Sequence, residues 1–403
     1  MRRRRRIWLA LALLPWGLPG TGAVACAGEA GAPAAARTAE ARAPALAPRD
    51  SLSDSLFASL HARLSEEGGY FDTDNLISNE SGYLNVVGAL ERLGLRGGAY
   101  AGVGPDQNYS YLAQLRPEVA FVVDVRRDNA LQHLLLKALV ERSSTRVEFL
   151  SALHARTPPA DADAWRDATV QEVVEWVDGA PPRSGAELRA LQQVVEEAVR
   201  HMGIPLTETD LATVARFHRA FIDDGLDLRF TSHGRRPQPY YPTYRQLVLE
   251  TDAEGDPASW LVSDERYQVV RDLHRANRII PVVGDLAGAS AVREMGRVLR
   301  EMELELTAFY VSNVEFYLWG DGLFDAWTAN LAALPAAPDA VLIRSYFPRL
   351  AGRHPAAIPG YYATQMLQPV RTVVEASEGR PFQGYGDLVT RDLIPLQGPV
   401  DGG

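Results

Sequence analysis

Among 403 residues there is a single cysteine, Cys26. If it is lipidated or removed, the folded part carries no thiol, which excludes disulfides, cysteine–zinc sites and cysteine nucleophiles. The eight histidines contain no i, i+4 pair, so no helical metal site is expected. The chain has no Gly-x-Ser-x-Gly elbow, no P-loop and no His-Glu-x-x-His. Positive charge is also short, since the net charge of −10 argues against a nucleic-acid partner, which would call for a basic face. What remains is 46% apolar and 23% charged, ordinary for a soluble globular protein.

The charge is uneven, because Arg2 to Arg6 open the chain. They read as the positive region of an export signal, and Ile7 to Leu18 as its apolar stretch, too short to span a bilayer comfortably. Ala23-Val24-Ala25 suits ordinary signal cleavage. With Cys26 it also resembles a bacterial lipobox, although Leu usually stands where Ala23 does. Residues 1–26 are therefore expected to be an export signal, of lipoprotein type or not. The protein is then periplasmic or in the cell envelope, meeting a membrane only through the signal or a lipid at Cys26. Residues 27–50, rich in Ala, Pro, Gly and Arg without apolar period, read as a tether.

Folded sequence begins near Ser51 with Leu56, Leu60 and Leu64 at helical spacing behind a Ser53 or Asp54 cap. A second helix is expected over 81–93. Ala99 to Val103 reads as a weak strand, Asn108 to Leu115 as a helix and Val119 to Val125 as a buried strand. A helix over 130–141 follows. Residues 156–225 are helical but more polar, broken by Pro158-Pro159 and Pro181-Pro182, and are expected to be an inserted helical subdomain. After a long loop at 231–244, helices over 264–276 and 290–302 alternate with strands over 278–283, 306–311 and 340–344. This alternation predicts an α/β domain over 51–403: a Rossmann-like, mostly parallel sheet with helices on both faces.

The most informative stretch is the turn Gly102-Val-Gly-Pro-Asp-Gln-Asn with the strand that ends at Asp124. Glycines at 102 and 104 permit close backbone approach to a ligand. Asp124, twenty residues after Gly104, stands where a Rossmann-type fold grips ribose hydroxyls.

Asp74-Asn-Leu-Ile-Ser-Asn-Glu, the Gly102 turn, Val123-Asp-Val-Arg-Arg-Asp-Asn with Gln132-His133, Val282-Val-Gly-Asp and Tyr310-Val-Ser-Asn-Val-Glu resemble an uncharacterised bacterial protein family. The resemblance covers about Ser51 to Phe347 and implies a Rossmann-like domain similar to class I methyltransferases, with S-adenosylmethionine as the cofactor to test. Departures from methyltransferases are visible. The strand Ala99-Tyr100-Ala101 is short and lacks their terminal acid, and Asp106 stands near their third small position, where it would repel an amino-acid carboxylate.

Open α/β sheets bind ligands beyond the carboxyl ends of their strands. The residues just past those ends are 102–108, 124–129, 284–285, 312–315 and 344–345. On this rim a nucleotide-like or other polar small ligand is expected at Gly102, Gly104, Pro105, Asp106, Asn108, Asp124, Arg126, Arg127, Ser312 and Asn313. Pro105 presets a helical turn whose free N–H groups favour an anion. Asp124 is a ribose ligand or a cap. Arg126 and Arg127 clamp a phosphate or carboxylate, or pair with Asp128 in a solvated loop. Asp285, Glu80 and His133 are the catalytic candidates. The ordinary alternatives are a cap for Asp285, a Ser/Asn–Glu cap for Glu80 and a satisfied buried histidine for His133. Two functional classes remain open: an enzyme of methyltransferase type, and a non-catalytic envelope protein that binds a polar ligand on the same fold.

Overall fold

The structure, a computed structural model, describes residues 51–233, 238–348 and 352–397; the expected export signal, tether and Cys26 lie outside them. Five parallel strands carry the sheet: β1 (Ala99–Val103), β2 (Val119–Asp124), β3 (Ile279–Val283), β4 (Leu306–Ser312) and β5 (Ala336–Tyr346). A sixth, β6 (Thr364–Pro369), runs antiparallel to β5. The order is β3-β2-β1-β4-β5-β6, so the chain reverses its direction of travel between β1 and β4, and the fold is the Rossmann-like α/β sheet the alternation predicts. Its strands read as continuous apolar runs because they are buried, as Val119 to Val123 and Ile279 to Val283 show.

The helices before and within the first αβ units are α1 (Asp54–Leu64), α2 (Val87–Arg92), α3 (Gln107–Leu115) and α4 (Arg127–Arg142). Ser53 caps α1 through the N–H of Leu56. Residues 81–86, expected to be helical, form turns instead. Between α4 and β3 come α5 (Arg146–Leu153), α6 (Val170–Gly179), α7 (Gly185–His201), α8 (Glu208–Asp224), α9 (Tyr244–Val248) and α10 (Asp264–Arg275). From α5 to α9 each helix opens with a reciprocal capping box, Thr145 with Glu148 and Thr207 with Asp210 among them. The polar helices at 170–224 stay ordered by this local chemistry and by packing on α4, which α7 and α8 both touch.

Two features past β4 escaped the periodicity. β5 begins four residues before its expected start, across Pro338 and Asp339, and the β4–β5 register shifts between Leu306 and Ala308 to absorb them. β6 reads Thr-Gln-Met-Leu-Gln-Pro and is buried despite two glutamines, so it carries no apolar signature. After β3 come α11 (Ala291–Glu301), then α12 (Val314–Gly320) and α13 (Phe324–Ala332) before β5, and α14 (Val370–Glu378) and α15 (Tyr385–Leu388) after β6. No helix among the described residues is long and apolar enough to cross a membrane.

Helix α4 packs against β2, β3, α5, α7, α8 and α10, which makes it the joint between the sheet and the inserted helices. Leu135 in its middle is fully buried. Leu135→Ala should therefore cost about 2–5 kcal/mol of unfolding free energy, read from urea denaturation followed by circular dichroism. A loss well under 1 kcal/mol would mean that α4 does not serve as this joint.

Candidate functional site

The carboxyl ends of the parallel strands come together where the rim residues were expected, but the chain itself runs along that rim. Residues 65–80 form a strap crossing from β3 to β6. At β3 the Glu66 N–H donates to Val283 O at 2.7 Å. The Glu66 carboxylate accepts from the N–H groups of Ser290 and Ala291 at 2.6 and 2.8 Å, and so caps α11. Burial opposes its charge, yet these backbone donors hold Glu66 below the usual carboxylate range. At β2 the Gly69 N–H donates to Val125 O at 2.7 Å. A Cβ on Gly69 would stand 2.6 Å from the Val125 side chain, so the strap passes in contact with the strand end.

Arg126 ties the strap down. Its Nε and Nη2 form a fork on the two oxygens of Asp124 at 2.9 and 2.6 Å, and its Nη1 donates to the carbonyls of Thr73 and Asp74, both at 2.7 Å. The Arg126 N–H also donates to Asp124 Oδ1 at 2.9 Å. The carboxylate expected to hold a ribose is thus engaged by a buried arginine, and neither Arg126 nor Asp124 presents a free clamp. Arg127 points elsewhere, forking onto Asp210 at 2.9 and 3.0 Å and joining α4 to α8. Among the described residues Asp128 forms an ion pair with neither of them; its pair is with Arg216 at 3.4 Å. Farther along, Gln132 Nε2 donates to Leu76 O at 2.5 Å.

The glycine turn is filled from within. A Cβ on Gly102 would lie 1.9 Å from Asn108 Oδ1 and 2.5 Å from the Tyr100 hydroxyl, so the close approach that requires glycine is made by these side chains. Asn108 Nδ2 donates to the carbonyls of Val103, Gly104 and Pro105 at 3.0, 3.3 and 2.7 Å, and its Oδ1 accepts from Tyr100 at 2.8 Å. Gly104 has φ +84°, a left-handed conformation that favours glycine. Every residue from Ala101 to Leu115 is buried, Pro105 included, so the N-terminus of α3 offers no open anion site.

His133 supports this turn. One ring nitrogen lies 3.0 Å from Gly104 O and the other 2.8 Å from the Tyr109 hydroxyl. A carbonyl only accepts, so the proton sits on Nε2 and Nδ1 accepts from tyrosine. Burial pushes the imidazole down to about 4, which keeps it neutral and makes it a buried structural histidine. Tyr109 packs on Trp260 in an edge contact, with centroids 5.3 Å apart. Asp285 Oδ1 accepts from the Ala287 N–H at 2.8 Å and closes its own turn, leaving the cap of α11 to Glu66. Gly284 does not open the strand end beside it; a Cβ there would sit 2.5 Å from that of Ala291.

The strap ends at Glu80, and there the rim becomes chemically distinctive. Glu80 is 1% exposed and lies beyond β4, β5 and the start of β6. Tyr310 donates to its Oε2 at 2.6 Å and Gln365 Nε2 to the same oxygen at 3.0 Å, while Ser312 and Ser345 donate one to each oxygen. Gln107 Nε2 reaches the Tyr310 hydroxyl at 3.4 Å. Asn313, the residue before α12, lies beside this contact, its side-chain oxygen 3.3 Å from the Ser312 hydroxyl. Burial first, then the Glu80 charge, raises the Tyr310 hydroxyl well above its ordinary value, so it stays a donor. Of the sequence candidates, Glu80, Ser312 and Asn313 come together here; Tyr310, Ser345 and Gln365 join them. Gln365 lies on β6, which had no periodic signal.

Beside this cluster Asp106 is buried and accepts from the Tyr244 hydroxyl at 2.9 Å. Burial, opposed by that hydroxyl, pushes its carboxyl up to about 6. Tyr83, Asp106, Gln107 and Tyr244 line a cavity with about 10 Å³ open to the centre of a water-sized molecule, room for about one water. A larger open depression of about 500 Å³, lined by Gly98, Arg300 and Glu305 among others, lies at the opposite, amino end of the strands. No cluster of His, Cys, Asp and Glu among the described residues is placed to hold a metal ion.

S-adenosylmethionine can be tested against these residues. It would need Asp124 for its ribose, space against Gly102 and a neutral neighbour for its carboxylate. Asp124 is forked by Arg126, Gly102 is filled by Asn108, and Asp106 is ionised at neutral pH. The residues do not fit that cofactor.

Asp106 and His133 should tilt stability in opposite directions. A carboxyl raised to about 6 adds stability that is full below pH 4 and lost as pH rises to 6. A histidine lowered to about 4 adds stability that is full above pH 6.5 and lost as pH falls toward 4. The stability of the parent minus that of Asp106→Asn should therefore fall by about 2 kcal/mol between pH 4 and pH 6 in urea unfolding. A flat difference would show that Asp106 is not buried as a carboxyl.

No functionally curated protein matches the chain. A family model described as "Domain of unknown function (DUF7790)" matches residues 76–380, roughly three quarters of the chain, including Glu80, the glycine turn and all six strands. By that match the protein belongs to the DUF7790 family, whose function is not known.

Proposed function

We propose that this protein binds a small polar ligand in the crevice beyond the carboxyl ends of its strands, where the strand order reverses between β1 and β4. The observation that carries this reading is Glu80. It is a buried carboxylate brought from outside the sheet onto the ends of β4, β5 and β6, held by neutral hydroxyl and amide donors and by no ion pair among the described residues. Buried charges are ordinarily paired or ligating, so a carboxylate kept this way suits a group that is itself recognised. The strap over the crevice is then its closed form. The location is the cell envelope, where an exported protein meets small polar solutes and lacks the cytoplasmic pool of S-adenosylmethionine and nicotinamide cofactors.

The second reading is a methyltransferase-like enzyme, favoured by the sheet order and by the spacing from Gly104 to Asp124. The two are separated by thermal unfolding of the full chain against S-adenosylmethionine, S-adenosylhomocysteine, NAD, NADP and a panel of sugars, polyols, amino acids and amines. A ligand at about a hundred times its dissociation constant adds about 2.7 kcal/mol. The expected outcome is no saturable shift with the four adenosine compounds and a saturable shift with at least one other polar compound, together with altered amide exchange over residues 65–80. A shift confined to the two S-adenosyl compounds would establish the enzyme reading. No shift with any compound would end the ligand-site reading.

A further inference from the structure

Two buried amide oxygens beside Glu80 have no hydrogen-bond donor among the described residues: Gln107 Oε1 and Gln365 Oε1. The two residues are 6% and 1% exposed. An amide can be turned end for end, so the question is whether these oxygens are placed by chemistry. They are. Gln365 Nε2 faces the Glu80 carboxylate at 3.0 Å, and a carboxylate accepts, so the amide must present its NH₂ group there. Tyr310 has one hydroxyl proton, given to Glu80, so its oxygen can only accept from Gln107, which must also present NH₂. Both amides are joined through the same oxygen, Glu80 Oε2: Gln365 directly and Gln107 through Tyr310. The cluster therefore holds one carboxylate and two oriented, unsatisfied acceptors, while the hydroxyl protons of Tyr310 and Ser345 and both N–H groups of Gln365 are already given to partners.

Charge points the same way. Glu250, which accepts from the Gly82 N–H nearby, reports the negative charge of Glu80: burial first and then that charge raise its carboxyl well above the usual range, so Glu250 itself stays neutral. Asp106 lies on the other side of Gln107, in the same small cavity. Two rim arginines are committed elsewhere, Arg126 to Asp124 and the strap, and Arg344 to Glu315 and Gln368. A phosphate or carboxylate brought here would meet acceptors and negative charge.

We infer that the group recognised at Glu80, Gln107 and Gln365 is an alkylammonium, the head of a primary amine. This rests on the ligand-site reading and adds the ligand's class to it. Its N–H donors suit the two free amide oxygens, and its unit positive charge suits Glu80. The small cavity beside Gln107 admits about one water and is lined by neither Glu80 nor Gln365, so the amine would enter only as the strap that ends at Glu80 moves.

The test is thermal unfolding of the full chain, at constant ionic strength, with glucosamine and ethanolamine as amines, glucose and ethanol as their neutral counterparts, and inorganic phosphate. Saturable stabilisation by at least one amine is expected, with its neutral counterpart at least tenfold weaker and phosphate inactive. Glu80→Gln, nearly isosteric, should weaken the amine at least tenfold; a circular dichroism spectrum like the parent's shows that it folds. In the unmutated protein, amine affinity should fall as pH passes the amine's own pKa, a readout that needs no variant. Equal binding of the neutral counterpart, preferential binding of phosphate, or an amine effect unchanged in Glu80→Gln would overturn the inference. If both amines fail while another compound of the wider panel binds, the class is wrong and the ligand site stands. If nothing binds, a buried water satisfies the amides and both readings fall.

Discussion

Arg126 sits where the end of β2, the strap and the first turn of α4 meet, and its guanidinium serves all three. Five N–H donors in a rigid plane can hold a carboxylate with one edge and backbone carbonyls with another. Here Asp124 takes the fork, and the carbonyls of Thr73 and Asp74 take Nη1. Because the pair is largely buried, removing either partner would leave an uncompensated charge. The anchor lies between the strap's hold on Val125 and the delivery of Glu80 to β4 and β5.

A parallel sheet leaves strand ends and helix N-termini unsatisfied on one edge, and Rossmann-type proteins use that edge to hold anions and hydroxyls. In this protein the same edge is satisfied by the chain's own groups. Glu66 takes the N-terminus of α11, Arg126 takes Asp124, and Asn108 takes the carbonyls of the glycine turn. Each is a polar contact a bound nucleotide would otherwise make. The consequence is a rim closed over most of its length, with unsatisfied acceptors at Gln107 and Gln365 beside Glu80.

The fold was readable because its strands are buried on both faces. Burial forces apolar runs such as Val119 to Val123, and α10 carries helical periodicity beside them. Legibility ended where burial is polar. Gln365 and Gln368 on β6 are fully buried yet look like loop residues in a linear chain, and Pro338 in β5 falls where the β4–β5 register shifts and before the pairing with β6 begins. Glu80 was visible as a candidate but also readable as a helix cap, since its destination is set by Tyr310, Ser345 and Gln365, 230 to 285 residues away.

By itself the sequence determined the α/β alternation, the glycine turn after β1, the acid at the end of β2 and which residues lie past the strand ends. These follow from local rules: side-chain period, backbone freedom at glycine and the need for polar groups where strands stop. Only the tertiary structure decided what those groups face. Gly102 could admit a ligand or Asn108, and Asp124 could hold a ribose or Arg126; spacing is the same in both cases. The choice was made by a strap from the start of the domain and a strand near its end, brought together by packing that no local pattern records.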